Sequence, residues 1–171
     1  YFLSLKVIDF RGNFLILFLN GEIEEIHKIF NIMWKFQIVN VNAIFAKNSE
    51  AISMVTFLPF QNSKCSDTTP MIINEFKDGK FTTNKFFIEK LENLQQCPVR
   101  VVIATKSEPY IVLTTGERHR GRDIALMDEL AVSLNFKINY IILDDKGFLL
   151  DNGTAGGIFK LLQNGSADMT I

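Results

Sequence analysis

Val99-Arg100-Val101-Val102-Ile103-Ala104 is an apolar run broken by one arginine, and its reading decides the fold. A run this short, bounded by Pro98 and the polar Thr105-Lys106-Ser107, reads as a strand. Downstream the period changes. Ile124, Met127, Leu130, Ala131 and Leu134 recur at helical spacing, and Asp123 stands where an N-cap belongs. Asn135 ends that helix, and Lys137 to Leu143 reads as the next strand. Gly153-Thr154 then opens a short helix carrying Ile158, Phe159, Leu161 and Leu162, which Asn164-Gly165 closes in the manner of a left-handed cap. A last strand begins near Ala167. The order β-α-β-α-β predicts an α/β fold with an open parallel sheet.

Upstream, Phe14 to Leu19 is continuously apolar and ends at Asn20-Gly21. It reads as a strand buried on both faces. Ile23, Ile26, Ile29, Phe30, Met33 and Trp34 place an apolar stripe on a helix from Glu22 to Lys35, with Glu22, Glu24, Glu25, Lys28 and Lys35 opposite. Ile38 to Phe45 and Ala51 to Leu58 read as strands, giving a second βαβ unit with a parallel sheet. From Phe60 to Gln96 the pattern weakens, and the segment reads as an ordered connector draped over a domain and tied by Cys65. The expected division is residues 1–96, then residues 97–171.

The 171 residues carry a formal charge of −1 and are 47% hydrophobic. Such a chain forms a core and has no general attraction to nucleic acid or anionic membrane. Sixteen phenylalanines supply abundant apolar area for buried sheets and interfaces. No stretch approaches the roughly 18 apolar residues that span a bilayer. The chain opens at Tyr1 without a leader and stops in what reads as an opening strand, so it is expected to be a piece of something longer. The two cysteines, Cys65 and Cys97, form one disulfide in an extracellular setting or two buried thiols in cytosol. As a bridge they close a loop of about 30 residues, worth roughly 3–4 kcal/mol in the chain-entropy model. Asn152-Gly153-Thr154 and Asn164-Gly165-Ser166 are glycosylation sequons.

Ligands of open α/β sheets bind beyond the carboxyl ends of the strands. Two loops reach that edge, Thr105 to Tyr110 and Asp144 to Phe148. Each sets an aromatic ring beside short polar groups, which suits a small amphipathic ligand. The same residues also read as a turn with a half-buried ring at Pro109-Tyr110 and a solvated hairpin from Asp144 to Gly147.

The succession Cys97-Pro98-Val99-Arg100-Val101-Val102-Ile103, Glu108-Pro109-Tyr110, Gly121-Arg122-Asp123-Ile124, Asp128-Glu129-Leu130-Ala131, Leu134-Asn135-Phe136, Asn152-Gly153-Thr154, Gly157-Ile158 and Gly165-Ser166-Ala167-Asp168-Met169 resembles the first ligand-binding segment of ionotropic glutamate receptors. Upstream, Trp34-Lys35, Asn40-Val41, Phe57-Leu58-Pro59-Phe60, Cys65 and Lys90-Leu91-Glu92-Asn93-Leu94 resemble the divergent insect ionotropic receptors. The resemblance runs from about Trp34 to the end. It implies a two-lobed, periplasmic-binding-protein-like clamshell beneath an amino-terminal domain, whose closure on a ligand opens a cation pore, usually in a tetramer. Residues 1–96 would be the tail of the amino-terminal domain with its connector, and residues 97–171 the incomplete first ligand-binding lobe.

By position, Tyr110 then matches the family's ligand-proximal tyrosine, beside Glu108. Ser107 stands where glutamate receptors place a glutamate, and Phe148 falls near a second, ligand-stacking tyrosine. The arginine that pairs with a ligand α-carboxylate lies beyond Ile171. The agonist is therefore open among amino acids, organic acids, amines and odorants. The implied setting is the plasma membrane with this portion extracellular, membrane spans outside the chain, and other receptor subunits as partners.

His27 and His119 lie far apart with no ligand at metal spacing, so no metal site is expected. His27 is expected to flank the buried stripe of its helix. Arg118-His119-Arg120-Gly121-Arg122 reads as a solvated loop or as an anion site at a helix start. No GxSxG elbow, P-loop or dinucleotide fingerprint occurs, and Asp144-Asp145 are adjacent, so they would diverge on a strand end. Neither an enzyme nor a cofactor is expected. The alternative to a channel ectodomain is a soluble clamshell solute-binding protein without a pore, and fold alone does not separate them.

Overall fold

The computed structural model describes residues 12–18, 22–48, 51–61, 64–105, 109–114 and 119–171. The fold is α/β, and the chain divides into two compact units, Tyr1–Glu92 and Asn93–Ile171.

In the first unit, β1 (Phe14–Phe18), α1 (Ile23–Lys35) and β2 (Val41–Asn48) form a βαβ unit, with β1 and β2 parallel from Phe14 opposite Val41 to Phe18 opposite Phe45. The helix forms because its apolar residues share one stripe. Glu24 and Glu25 in the first turn and Lys35 in the last complement its dipole. It ends at Phe36, and Gln37 takes the left-handed conformation, φ 59°. Gln37 N–H then bonds Trp34 O at 2.9 Å and Ile38 N–H bonds Met33 O at 2.9 Å, satisfying the last carbonyls.

Ile26 and Phe30 of α1 are fully buried against Val41, Ala43, Val55 and Phe57. The Phe30 and Phe57 rings lie 5.2 Å apart, and Trp34 meets Phe57 edge-on at 6.0 Å. His27 is exposed on α1.

Two expectations for this unit change. β1 is buried on one face only: Phe14, Ile16 and Phe18 pack on the core, whereas Leu15 and Leu17 are 57% and 65% exposed. Among the described residues β1 borders the sheet, and α1 covers only one of its faces. Leu19, Asn20 and Gly21 lie outside the described residues.

The sheet is also mixed and not simply parallel. β3 (Ala51–Thr56), β6 (Met71–Lys77) and β7 (Lys80–Phe81) follow β2 as an antiparallel meander, in the order β1-β2-β3-β6-β7. β4 (Phe60–Gln61) and β5 (Lys64–Cys65) pair as a separate short hairpin. Much of the stretch expected as connector is therefore strand. A true connector begins only after Phe81. It is fastened by side chains of the sheet face opposite α1, with Asn74 bonding Thr83 and Asn42 bonding Phe86 O.

In the second unit, β8 (Pro98–Ala104), α2 (Arg122–Ser133) and β9 (Lys137–Leu143) form a parallel βαβ unit. A short hairpin of β10 (Phe148–Leu149) and β11 (Ala155–Gly156) precedes α3 (Gly157–Gln163) and β12 (Met169–Thr170). β12 returns parallel to the other side of β8, giving the order β12-β8-β9. Val101, Met127 and Phe136 form one buried cluster, and Ile103, Ile111 and Ile124 another.

Two helix starts differ from expectation. Asp123 is not the N-cap of α2; Gly121 is, at φ 123°, and Asp123 sits in the first turn. α3 begins at Gly157 and not at Gly153-Thr154, because Ala155–Gly156 pairs with β10 first. At its end Gly165 adopts φ 71°, and the amides of Gly165 and Ser166 bond Leu162 O and Leu161 O as expected.

Candidate functional site

The strand order places a reversal at β8. The chain leaves β8 toward β9 on one side and returns through β12 on the other. In such sheets the crevice beyond the carboxyl ends at the reversal is where ligands bind.

Both predicted loops emerge at that edge. Thr105 N–H continues the ladder by bonding Leu143 O at 2.9 Å. Thr105 Oγ1 then donates to Asp144 Oδ1 at 2.5 Å, so the starts of the two loops are joined. The charge-assisted bond is of the stronger kind. Asp145 Oδ1 accepts from Gly147 N–H at 2.8 Å, turning the second loop into its hairpin.

Tyr110 is 49% exposed, and its main chain is held by the first turn of α2. Its carbonyl accepts from Asp123 N–H at 3.2 Å. Gly121 comes so close that any Cβ there would overlap that carbonyl. The Arg122 guanidinium lies 4.5 Å from the centre of the Tyr110 ring, a cation–π distance, and Arg122 Nε donates to Asp123 Oδ1 at 3.0 Å. Beneath this, Ile111 is buried, and Val112 and Arg120 exchange two backbone bonds of 2.7 and 3.0 Å. Of the RHRGR stretch, Arg118 lies outside the described residues, Arg120 closes a bridge, and Arg122 covers Tyr110. His119 accepts from Thr114 N–H at 3.4 Å and meets the Tyr140 ring edge-on at 5.5 Å.

Phe148 is 51% exposed and starts β10 opposite Gly156. Its ring occupies the space a Cβ on Gly156 would need, with Phe148 Cζ 2.6 Å from that point. Among the described residues, no ring contact joins Phe148 to Tyr110; each belongs to its own loop. Ser107 and Glu108 lie outside the described residues. Cys65 and Cys97 are disulfide-bonded. Asn152 and Asn164 are exposed, and each side-chain oxygen accepts from the amide two residues on, Thr154 at 3.0 Å and Ser166 at 2.9 Å.

Sequence reasoning did not single out Gly121 and Arg122 as the grip on Tyr110, nor Gly156 as the seat of Phe148. The available signal was a glycine immediately before a helix and a Gly156-Gly157 pair, where close backbone approach is the usual cause.

Electrostatics away from the loops is structural. Arg100 and Asp168 pair at 2.6 Å and fasten β8 to the residue before β12. Burial works to raise the Asp168 carboxyl, but the hydrogen bonds and charge of Arg100 outweigh it and hold the pKa below its usual value. Among the described residues no three His, Cys, Asp or Glu side chains gather to hold a metal. Nor, among them, is any helix long and apolar enough to cross a membrane.

These features define an α/β chain whose second unit presents two joined loops at the carboxyl edge of a parallel sheet. The family model described as "Putative ionotropic receptor, ligand binding domain" matches residues 3–93, just over half of the 171 residues. The chain belongs to that family and is part of the ligand-binding portion of a receptor. The matched stretch corresponds to the first unit, Tyr1–Glu92. No curated protein matches the chain.

Proposed function

We propose that this chain is an extracellular portion of a chemosensory, ligand-gated cation channel of the ionotropic glutamate receptor superfamily. In this reading residues 97–171 are the beginning of the first clamshell lobe, and residues 1–96 are the end of an amino-terminal domain with its connector. The agonist is a small amino acid, organic acid, amine or odorant. It meets the loops that carry Ser107, Glu108, Tyr110 and Phe148, while Asn152 and Asn164 carry glycans. Partner subunits complete a tetramer at the plasma membrane through segments outside this chain.

The observation that carries the reading is the Thr105–Asp144 bond. It joins two ring-bearing loops beside the strand reversal, where an open α/β sheet takes its ligand. The family match adds the receptor context, and it covers residues 3–93, not the loops of the second unit.

The test is electrical. In the intact receptor, a panel of acids, amines and amino acids should identify an agonist. Tyr110→Ala should then raise its half-maximal concentration about tenfold or more, the loss of one aromatic contact, with surface expression unchanged. An unchanged dose-response would remove Tyr110 from the pocket. Ligand binding without any current from the complete protein would favour a pore-free solute-binding protein.

A further inference from the structure

The segment after β7 is fastened to the first unit by three buried polar side chains taken in chain order. Asn74, 2% exposed, receives Thr83 N–H at 3.1 Å and donates to Thr83 O at 2.8 Å, and Thr82 Oγ1 also bonds it at 2.9 Å. Asn42, fully buried, donates to Phe86 O at 2.5 Å. Lys90, 7% exposed, sends Nζ to Val39 O and Thr56 Oγ1, each at 2.7 Å, and lies 4.4 Å from the Phe57 ring centre. The Phe81 and Phe86 rings meet edge-on at 5.0 Å. Residues 82–86 are exposed, Phe86 only partly, and Phe87 and Ile88 are half-buried.

Two features make the fastened state costly. Asn42 Oδ1 is buried with no hydrogen-bond donor, an arrangement that disfavours closure. Lys90 buries an ammonium against carbonyls, a hydroxyl and a ring, with no carboxylate among these contacts. Of the charged groups on neighbouring elements, Glu24, Glu25, Lys28 and Lys35 of α1 are exposed, as are Glu89 and Glu92 of the segment itself. Glu75 and Lys77 of β6 pair with each other at 2.7 Å.

We propose that residues 82–92 are a releasable strap, with Lys90 as its bolt, and that protonation of Lys90 favours release. Once open, the eleven residues would extend by about 3.3 Å each, on the order of 35 Å, within the loop that the Cys65–Cys97 disulfide closes. Burial lowers the Lys90 amine to about 8, whereas in the open strap it returns to the ordinary lysine value. Between those two values the open state binds the extra proton, so closure strengthens as pH rises. Below them both states are protonated, and the open state keeps its full advantage.

Thr82 and Thr83 lie at the far end of the strap from Lys90, so their amides report whether it opens as one piece. Their hydrogen exchange in the full chain, corrected for intrinsic pH dependence, should slow about tenfold from pH 7 to pH 9. In Lys90→Met the corrected rates should be flat over that range. Equal slopes in both proteins, or exchange of these amides only at the rate of global unfolding, would overturn the strap. If Lys90→Met does not fold, the titration midpoint of the Lys90 Cε resonance decides. A midpoint near 8 supports the bolt, and one above 10 removes it.

Discussion

Gly121 backs directly onto Tyr110. A Cβ at Gly121 would overlap the Tyr110 carbonyl oxygen and stand 2.8 Å from its carbonyl carbon, and the glycine also holds φ at +123°. The backbone of the candidate ligand loop is thus set from behind by a residue with no side chain, while Arg122 covers the ring of the same tyrosine.

Gly121→Ala should therefore disturb the loop and the start of α2 together. The cost expected is about 2–3 kcal/mol, from a conformation that L side chains rarely adopt added to the collision. Denaturant unfolding of the chain measures it. A loss under 0.5 kcal/mol would mean that the loop and helix separate easily.

Gln37 is the opposite case. It closes α1 at φ 59° without being glycine and is exposed. Gln37→Gly should stabilise the protein by about 0.5–1 kcal/mol, since glycine enters the left-handed region without a Cβ penalty. A rise in the unfolding midpoint at unchanged m-value is the expected result, and a fall would show that the Gln37 side chain makes a useful contact.

Asp168 predicts an acid limb. Its folded pKa lies below the ordinary carboxylate value, so its contribution is complete above pH 4 and is lost as pH falls through the folded value. The pair is 40% and 41% exposed, and screening limits its worth to less than about 1 kcal/mol. Asp168→Asn should lower stability by that amount at pH 7, and by progressively less as the pH falls through the folded pKa. A pH-independent loss would mean that the backbone bond to Arg100, and not the charge, matters.

The regular elements were largely legible. β9 begins and ends at the expected residues, and α1 starts one residue later than expected and ends as expected at Lys35, because apolar periodicity and burial coincide there. β6 was not legible. Met71-Ile72-Ile73-Asn74-Glu75-Phe76-Lys77 has no clean alternation, and its strand state comes from pairing with β3 across a register shift at Met54/Val55. Asn74, which no sequence pattern singles out, is buried beneath the strap. The N-cap of α2 failed for a related reason: a glycine chosen for close approach displaced the side-chain cap that Asp123 suggested. In the candidate site the two loops were legible, and their link through Thr105 and Asp144 was not, since residues 39 positions apart meet only through the parallel ladder.

The edge position of β1 has a practical consequence. Among the described residues, β1 is a parallel border strand with Leu15 and Leu17 turned outward, a kind of edge on which another extended chain adds. Concentrated preparations of this chain will therefore be limited by colloidal behaviour before they are limited by melting, and dilution will be the variable that keeps single molecules in view.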